Sequence, residues 1–193
     1  MNLMINIVIF GPPGAGKGTQ SQYLKERFGL VHISTGDVFR ALDPASDLAK
    51  LAKSYSDKGN LVPDEITIKI LEGEVSKHPE AKGVIYDGFP RTTAQAEALD
   101  RFLSTKNTSI SIALALEVAE DELRSRLKNR AINSERPDDA DPAIIQNRID
   151  VYNSQTAPVA EFYKGQGKYV GVDGIGTIEE IFDRLVDALS NKA

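Results

Sequence analysis

Five short runs along the chain carry almost no charge: 5–10 (I-N-I-V-I-F), 31–33 (V-H-I), 83–87 (G-V-I-Y-D), 110–116 (I-S-I-A-L-A-L) and 168–172 (K-Y-V-G-V). They are rich in β-branched residues, and their length predicts strands buried on both faces, as in a parallel sheet. Between them the apolar residues recur at helical spacing. Tyr23, Leu24 and Phe28 mark a helix that Lys17 opens and Gly29 ends. Ile66, Ile70 and Leu71 mark another, with Asp64 as its expected cap, and further sets are Ala98-Leu99-Phe102, Leu123-Leu127 and Ile144-Ile145-Ile149-Tyr152. Pro158 predicts a kink or break after the last of these. Residues Ile178, Ile181, Phe182, Leu185, Val186 and Leu189 give the clearest 3.6-residue period, and Thr177 with Glu180 three places on predicts a capping box. Strands alternating with helices predict an α/β fold, a five-stranded parallel sheet with helices on both faces.

Two stretches break the alternation. Residues 43–60 read as a small helical insertion with Leu48, Leu51, Ala52 and Tyr55 at helical spacing, and 131–141 (A-I-N-S-E-R-P-D-D-A-D) reads as a short polar loop. At 193 residues the chain is long enough for one sizeable domain carrying such insertions. The apolar fraction of 41% supplies a core, and the absence of cysteine excludes disulfides and thiolate metal sites. A formal charge of −5 argues against a nucleic-acid coat. The apolar N-terminal run is too short for a membrane span and has no basic flank, so a cytoplasmic protein without membrane attachment is expected.

The chemistry is concentrated where the first strand ends. G-P-P-G-A-G-K-G-T-Q (11–20) places three glycines between a strand and a helix, with Lys17 at the helix start. That is the context of a phosphate-binding loop: glycines let backbone N–H groups turn toward an anion, and the helix N-terminus and the lysine add positive charge. Gly18 stands where a magnesium-binding hydroxyl usually sits, with Thr19 one place later. Asp87, at the end of the third strand, supplies the carboxylate that such a loop needs beside its metal. Ser34-Thr35-Gly36-Asp37 lies at a strand-to-helix turn, where a helix cap and ligand contact are compatible roles. His32 reads as a core or rim histidine. A GTPase would carry N-K-x-D, which is missing, and no partner module is present for a motor to move. Six arginines at element ends (Arg40, Arg91, Arg126, Arg130, Arg136, Arg148) suit a kinase for a small anionic acceptor. No catalytic base stands out, and a phosphate monoester, already an oxyanion near neutral pH, needs none.

The phosphate loop, S-T-G-D (34–37), K-G-N-L-V-P-D-E (58–65), D-G-F-P-R-T-x-x-Q (87–95), the arginine pairs and T-A-P-V (156–159) together resemble the adenylate kinases, nucleoside monophosphate kinases of the short-lid form. The resemblance covers nearly the whole chain. It implies reversible phosphoryl transfer from MgATP to AMP, giving two ADP. It implies a core (1–33, 65–130, 142–193), an acceptor-binding region (about 34–64) and a short lid (about 131–141), the last two able to move. Carried over by motif, Gly14, Ala15, Gly16, Lys17, Gly18 and Thr19 hold ATP phosphates, Arg126 meets the ATP side, and Gly176 lies near the donor base. Thr35, Arg40, Gly59, Asn60, Leu61, Val62, Gly88, Arg91 and Gln95 bind AMP. Arg130, Arg136 and Arg148 converge on the transferring phosphoryl group or the AMP phosphate. Magnesium is expected to have no direct protein ligand, with Asp87 acting through water, and no structural zinc is expected. The substrates implied are ATP, AMP and ADP, and the chain is expected to be a monomer. Glu135 departs from the glycine common before the lid arginine in short-lid relatives, which bears on lid geometry. The alternatives are a UMP/CMP kinase of the same fold, whose members tend to carry S-A-G-D and an asparagine near Gln95, and a non-catalytic nucleotide-binding protein.

Overall fold

The computed structural model describes residues 5–133 and 141–191. Five parallel strands, β1 (Ile7–Phe10), β2 (Val31–Ser34), β3 (Val84–Asp87), β4 (Ile112–Glu117) and β5 (Tyr169–Asp173), form one sheet in the order β2-β3-β1-β4-β5. β1 is central, so the loop that follows it opens in the middle of the sheet's carboxyl edge, where open α/β sheets bind ligands.

Successive strand residues face opposite sides, and each side has its own apolar layer. Val8, Phe10, Val84, Tyr86, Ala113 and Ala115 face α4 (Asp64–Ser76), α5 (Thr93–Thr105) and α8 (Val159–Gly165). Ile7, Ile9, Ile85, Ile112 and Leu114 face α1 (Lys17–Phe28) and α9 (Ile178–Ser190). Both faces being covered explains why the strand sequences lack polar alternation. Asn6, fully buried, ties the opposite edge of the sheet. Its amide donates to Thr108 Oγ1 and Ser109 O at 3.0 and 3.1 Å, and its Oδ1 accepts from Val84 N at 3.2 Å.

The remaining helices are α2 (Thr35–Arg40), α3 (Asp47–Ser56), α6 (Glu120–Asn133) and α7 (Pro142–Val151). α7 runs into a π-turn, Tyr152–Thr156, in which Ala157 N bonds Tyr152 O at 2.8 Å, and Pro158 marks the break before α8. Thr177 and Glu180 form the expected capping box. Among the described residues no helix is long and apolar enough to cross a membrane.

Some local expectations are corrected. Tyr23 is exposed, its ring 5.7 Å from that of Phe182, because Gln20, Ser21 and Leu24 occupy the buried face of α1. Ile178 is also exposed, since it is the first residue of α9 and precedes the buried stripe of Ile181 and Leu185. Leu51 points outward while its neighbour Ala52 is buried. Asp64 is not the cap of α4, a place taken by Pro63; its carboxylate is engaged elsewhere. α6 continues through Asn133, because Ala131-Ile132-Asn133 contains no helix breaker, so the first three residues of the expected polar loop are helical. Residues 134–140 of that stretch, with Glu135, Arg136, Asp138 and Asp139, lie outside the described residues.

Candidate active site

The glycine loop is held against α6 (Glu120–Asn133). A Cβ on Gly14, whose φ is +86°, would stand 3.0 Å from Leu127 Cγ and 3.1 Å from Leu123 O, so only glycine lets the loop lie this close. Gly16, itself in the left-handed region, is the N-cap of α1. Ala15 is a buried member of the loop, and Gly18 and Thr19 lie exposed in the first helical turn. The loop thus points the start of α1 at whatever it holds.

Lys17 crosses the loop, its Nζ donating to Gly11 O at 2.8 Å and Pro12 O at 3.1 Å. Burial lowers its pKa from the ordinary 10.5 to about 7. Asp87 opposes that shift, while the guanidinium groups of Arg91, Arg148 and Arg130 add to it. Those four side chains therefore act on one ammonium group, although they come from β3, the β3–α5 turn, α7 and α6. Asp87, 7% exposed, has Oδ2 3.2 Å from His32 Nε2, which β2 carries beside it. A Cβ on Gly18 would lie 3.7 Å from the same oxygen, so the carboxylate faces the loop with no side chain between.

A cleft of about 440 Å³ extends from Lys17 to Thr35, Arg40, Leu61, Val62, Gly88, Arg91, Gln95 and Arg148, which all line it. Gly59 and Asn60 line it too. Gly88 O accepts from Thr35 Oγ1 at 2.9 Å and from Arg91 Nε at 2.8 Å. Arg40 is paired with Asp37 one turn earlier in α2. Gln95 is 1% exposed: its Oε1 accepts from Arg91 N and its Nε2 donates to Asp64 Oδ1, both at 2.8 Å. Where 58–60 meets α7, Asn147 Nδ2 donates to Lys58 O at 2.6 Å and to Asn60 Oδ1 at 2.9 Å. A Cβ on Gly59 (φ +75°) would come within 2.9 Å of Arg148 Cγ and 3.1 Å of Ile144 O.

Arg126 and Arg130, one turn apart on α6, diverge. The charge of Arg130 acts on Lys17, whereas Arg126 donates to Glu122 Oε1 at 2.7 Å and Gly174 O at 2.9 Å. Arg126 therefore lies beside the β5–α9 turn that contains Gly176. Of the sequence-selected residues, Thr35, Arg40, Gly59, Asn60, Leu61, Val62, Gly88, Arg91, Gln95 and Arg148 line one cleft with Lys17, Asp87 faces the loop from β3, and Arg126 reaches the turn before α9.

Sequence reading missed three contributors. Asp64 had the look of a cap, Thr156 lay unremarked inside T-A-P-V, and Asn147 sat in an ordinary helical stretch. Asp64 within K-G-N-L-V-P-D-E and Thr156 within T-A-P-V lay in motifs that named no role for them, and Asn147 gave no signal.

What the arrangement can do is hold two anions in line. A loop of amides and one lysine is suited to a polyphosphate, a carboxylate faces that loop, and guanidinium groups line the cleft beside it.

Comparison with known proteins agrees. The family model described as adenylate kinase matches residues 9–168. The chain is 51% identical over 189 residues to the adenylate kinase of Flavobacterium psychrophilum, covering 97% of this chain and 100% of that protein. It is 50% identical to the adenylate kinase of Parabacteroides distasonis, with 97% and 99% covered. The adenylate kinase of Caulobacter vibrioides is 44% identical over 186 residues, 96% of this chain and 97% of its own. A match of this extent and depth, on this loop and cleft, places the chain in the adenylate kinase family.

Proposed function

We propose that the chain transfers a phosphoryl group reversibly from MgATP to AMP, giving two ADP. The observation that carries this reading is the cleft that Lys17, Arg91 and Arg148 line together with Thr35, Arg40 and Gln95, with the Asp87 carboxylate facing the glycine loop across Gly18. On this reading the amides of Gly14, Ala15, Gly16, Gly18 and Thr19 and the ammonium of Lys17 hold the donor phosphates, and Arg126 with Gly176 flanks the donor base. Thr35, Arg40, Gly88, Arg91 and Gln95 take AMP, with 59–62 along its base. Arg130 and Arg148, joined by Arg136 from the lid loop, neutralise the phosphoryl group in flight. The acceptor phosphate attacks as an oxyanion, so no residue has to remove a proton. The work left to the protein is alignment and charge stabilisation, for which bidentate, permanently charged arginines are suited.

The residues fit a magnesium ion carried in with the donor. Magnesium keeps several waters and binds through few carboxylates plus substrate phosphates, and Asp87 faces the loop across the side-chain-free Gly18. Bound there, magnesium neutralises charge on the donor phosphate oxygens. Asp87 would hold its waters, and His32 would hold Asp87. Residues 34–64 are assigned to acceptor binding, 131–141 to the lid, and the rest to the core. The chain is assigned to the cytoplasm as a monomer without structural zinc.

A coupled assay of ADP formation with AMP, UMP and CMP as acceptors tests the reading. AMP is expected to be phosphorylated far faster than either pyrimidine nucleotide. A preference for UMP or CMP makes the chain a pyrimidine nucleotide kinase, and no turnover with any acceptor makes it a binding protein.

A further inference from the structure

We propose that Thr156 and Asp64 are positioning residues for the acceptor arginine, clamping the backbone of Arg91 from its two sides. The inference rests on Arg91 as the ligand of the acceptor phosphate.

Arg91 follows a turn and precedes α5, so no helix or strand ladder fixes its own peptide groups. Side chains do so instead. Thr156, 5% exposed, donates its hydroxyl to Arg91 O at 2.9 Å from 65 residues away. On the other side, Gln95 Oε1 accepts from Arg91 N at 2.8 Å. The Gln95 amide is in turn held by Asp64, whose Oδ1 accepts from its Nε2 at 2.8 Å while Oδ2 accepts from Thr92 Oγ1 at 2.9 Å. A carboxylate is acceptor-only, so Asp64 forces the NH₂ end of Gln95 toward itself and the carbonyl end toward Arg91 N–H. With N–H and C=O both fixed, the Cα of Arg91 has one position and its side chain leaves in one direction. Nε then meets Gly88 O at 2.8 Å, which aims the outer guanidinium nitrogens into the cleft.

The π-turn is the device that brings Thr156 to this point. Its i to i−5 bond, Ala157 N to Tyr152 O, widens the helix by one residue after α7. π-turns are rare and recur at functional sites, and this one places a threonine, not an apolar residue, against buried backbone. Asp64 comes from the start of α4 and Thr156 from the end of the π-turn, so the clamp draws on two distant segments.

The test compares Thr156→Val, which keeps shape and loses the hydroxyl, with Thr156→Ser, which keeps the hydroxyl. Thr156→Val is expected to raise KM for AMP about tenfold, the effect of one lost hydrogen bond to buried backbone, with KM for ATP nearly unchanged. Thr156→Ser should restore the wild-type value. In an Arg91→Ala background the Val substitution should no longer change KM for AMP, because a positioning residue has nothing left to position. Asp64→Ala, at a more accessible site, gives the same KM split should Thr156→Val fold poorly. Equal changes in both KM values, no change in either, or an undiminished Thr156→Val effect without Arg91 would overturn the clamp. A wild-type chain that cannot use AMP overturns the acceptor reading itself, and that outcome appears before any variant is made.

Discussion

The glycine loop and the cleft beside it are built in different ways. In the loop, the groups proposed to hold the donor belong to nine consecutive residues, 11–19, and most are main-chain amides arranged by glycine conformation and by the start of α1. The acceptor cleft is assembled from four separate segments. Its internal hydrogen bonds join residues 28 (Thr92 and Asp64), 31 (Gln95 and Asp64), 53 (Thr35 and Gly88) and 65 (Thr156 and Arg91) positions apart. A site made of contiguous backbone keeps its shape wherever the strand and helix around it form. A site made of side chains from distant segments depends on the packing of the whole domain, and can be adjusted from many places.

The largest effect expected is local. Lys17→Met removes the one ammonium of the loop and should lower turnover about 10²–10³-fold, the loss typical of a missing transition-state donor. The melting temperature should not fall, because burying that charge is a cost to the folded state. Near-wild-type turnover in the folded variant would break the donor assignment. Next, Arg91→Ala should weaken AMP about 10–100-fold, as expected for lost charged hydrogen bonds, and ATP little. Titrations with each nucleotide alone would show equal losses if the two sites are misdrawn.

A smaller effect is expected from Gly59→Ala. The new methyl meets Arg148 Cγ and Ile144 O in a left-handed backbone position, so the contact between 58–60 and α7 must loosen. We expect KM for AMP to rise several-fold and stability to fall by on the order of 1–3 kcal/mol. Unchanged AMP kinetics would show that this contact does not shape the acceptor cleft.

The smallest effect is a fraction of a proton. With its pKa lowered by burial to about 7, Lys17 is mostly neutral at pH 8, and a bound polyphosphate favours the charged form. ATP binding at pH 8 should therefore take up protons, and binding at pH 6, where Lys17 is already charged, should take up fewer at this group. Calorimetry in buffers of different ionisation enthalpy measures the uptake, and Lys17→Met should remove the Lys17 share of it. The stability effect has the matching sign. Between the folded value near 7 and the unfolded 10.5 the unfolded chain binds the extra proton, so this group makes the empty protein more stable as pH rises through that window.

The same contrast between contiguous and dispersed construction decides what the sequence reveals. Strand, glycine loop and lysine are adjacent in the chain, and the capping box at Thr177 is complete within four residues, so both were readable. Both faces of the sheet are covered, which left an unbroken apolar signature in each strand. Asp64 misled because an aspartate beside a helix start satisfies a local rule, while its actual partners lie 28 and 31 residues on. Arg126 and Arg130 show the same limit. Four residues apart on α6, they lie on one side of the helix, but their partners, a turn carbonyl for one and the neighbourhood of Lys17 for the other, belong to different parts of the fold. Tyr23 fitted the period of α1, yet Gln20, Ser21 and Leu24 took the buried face.

The position of α7 has a thermodynamic consequence. Asn147 holds the main chain at 58–60, its neighbour Arg148 bears on Lys17, and the π-turn at the end of the helix reaches Arg91. A helix that touches both proposed nucleotide sites cannot shift as a rigid body at one without shifting at the other. If binding either nucleotide moves it, the two affinities become linked by a single coupling free energy, equal in both directions. Whatever factor ATP adds to the grip on AMP, AMP must then return to ATP.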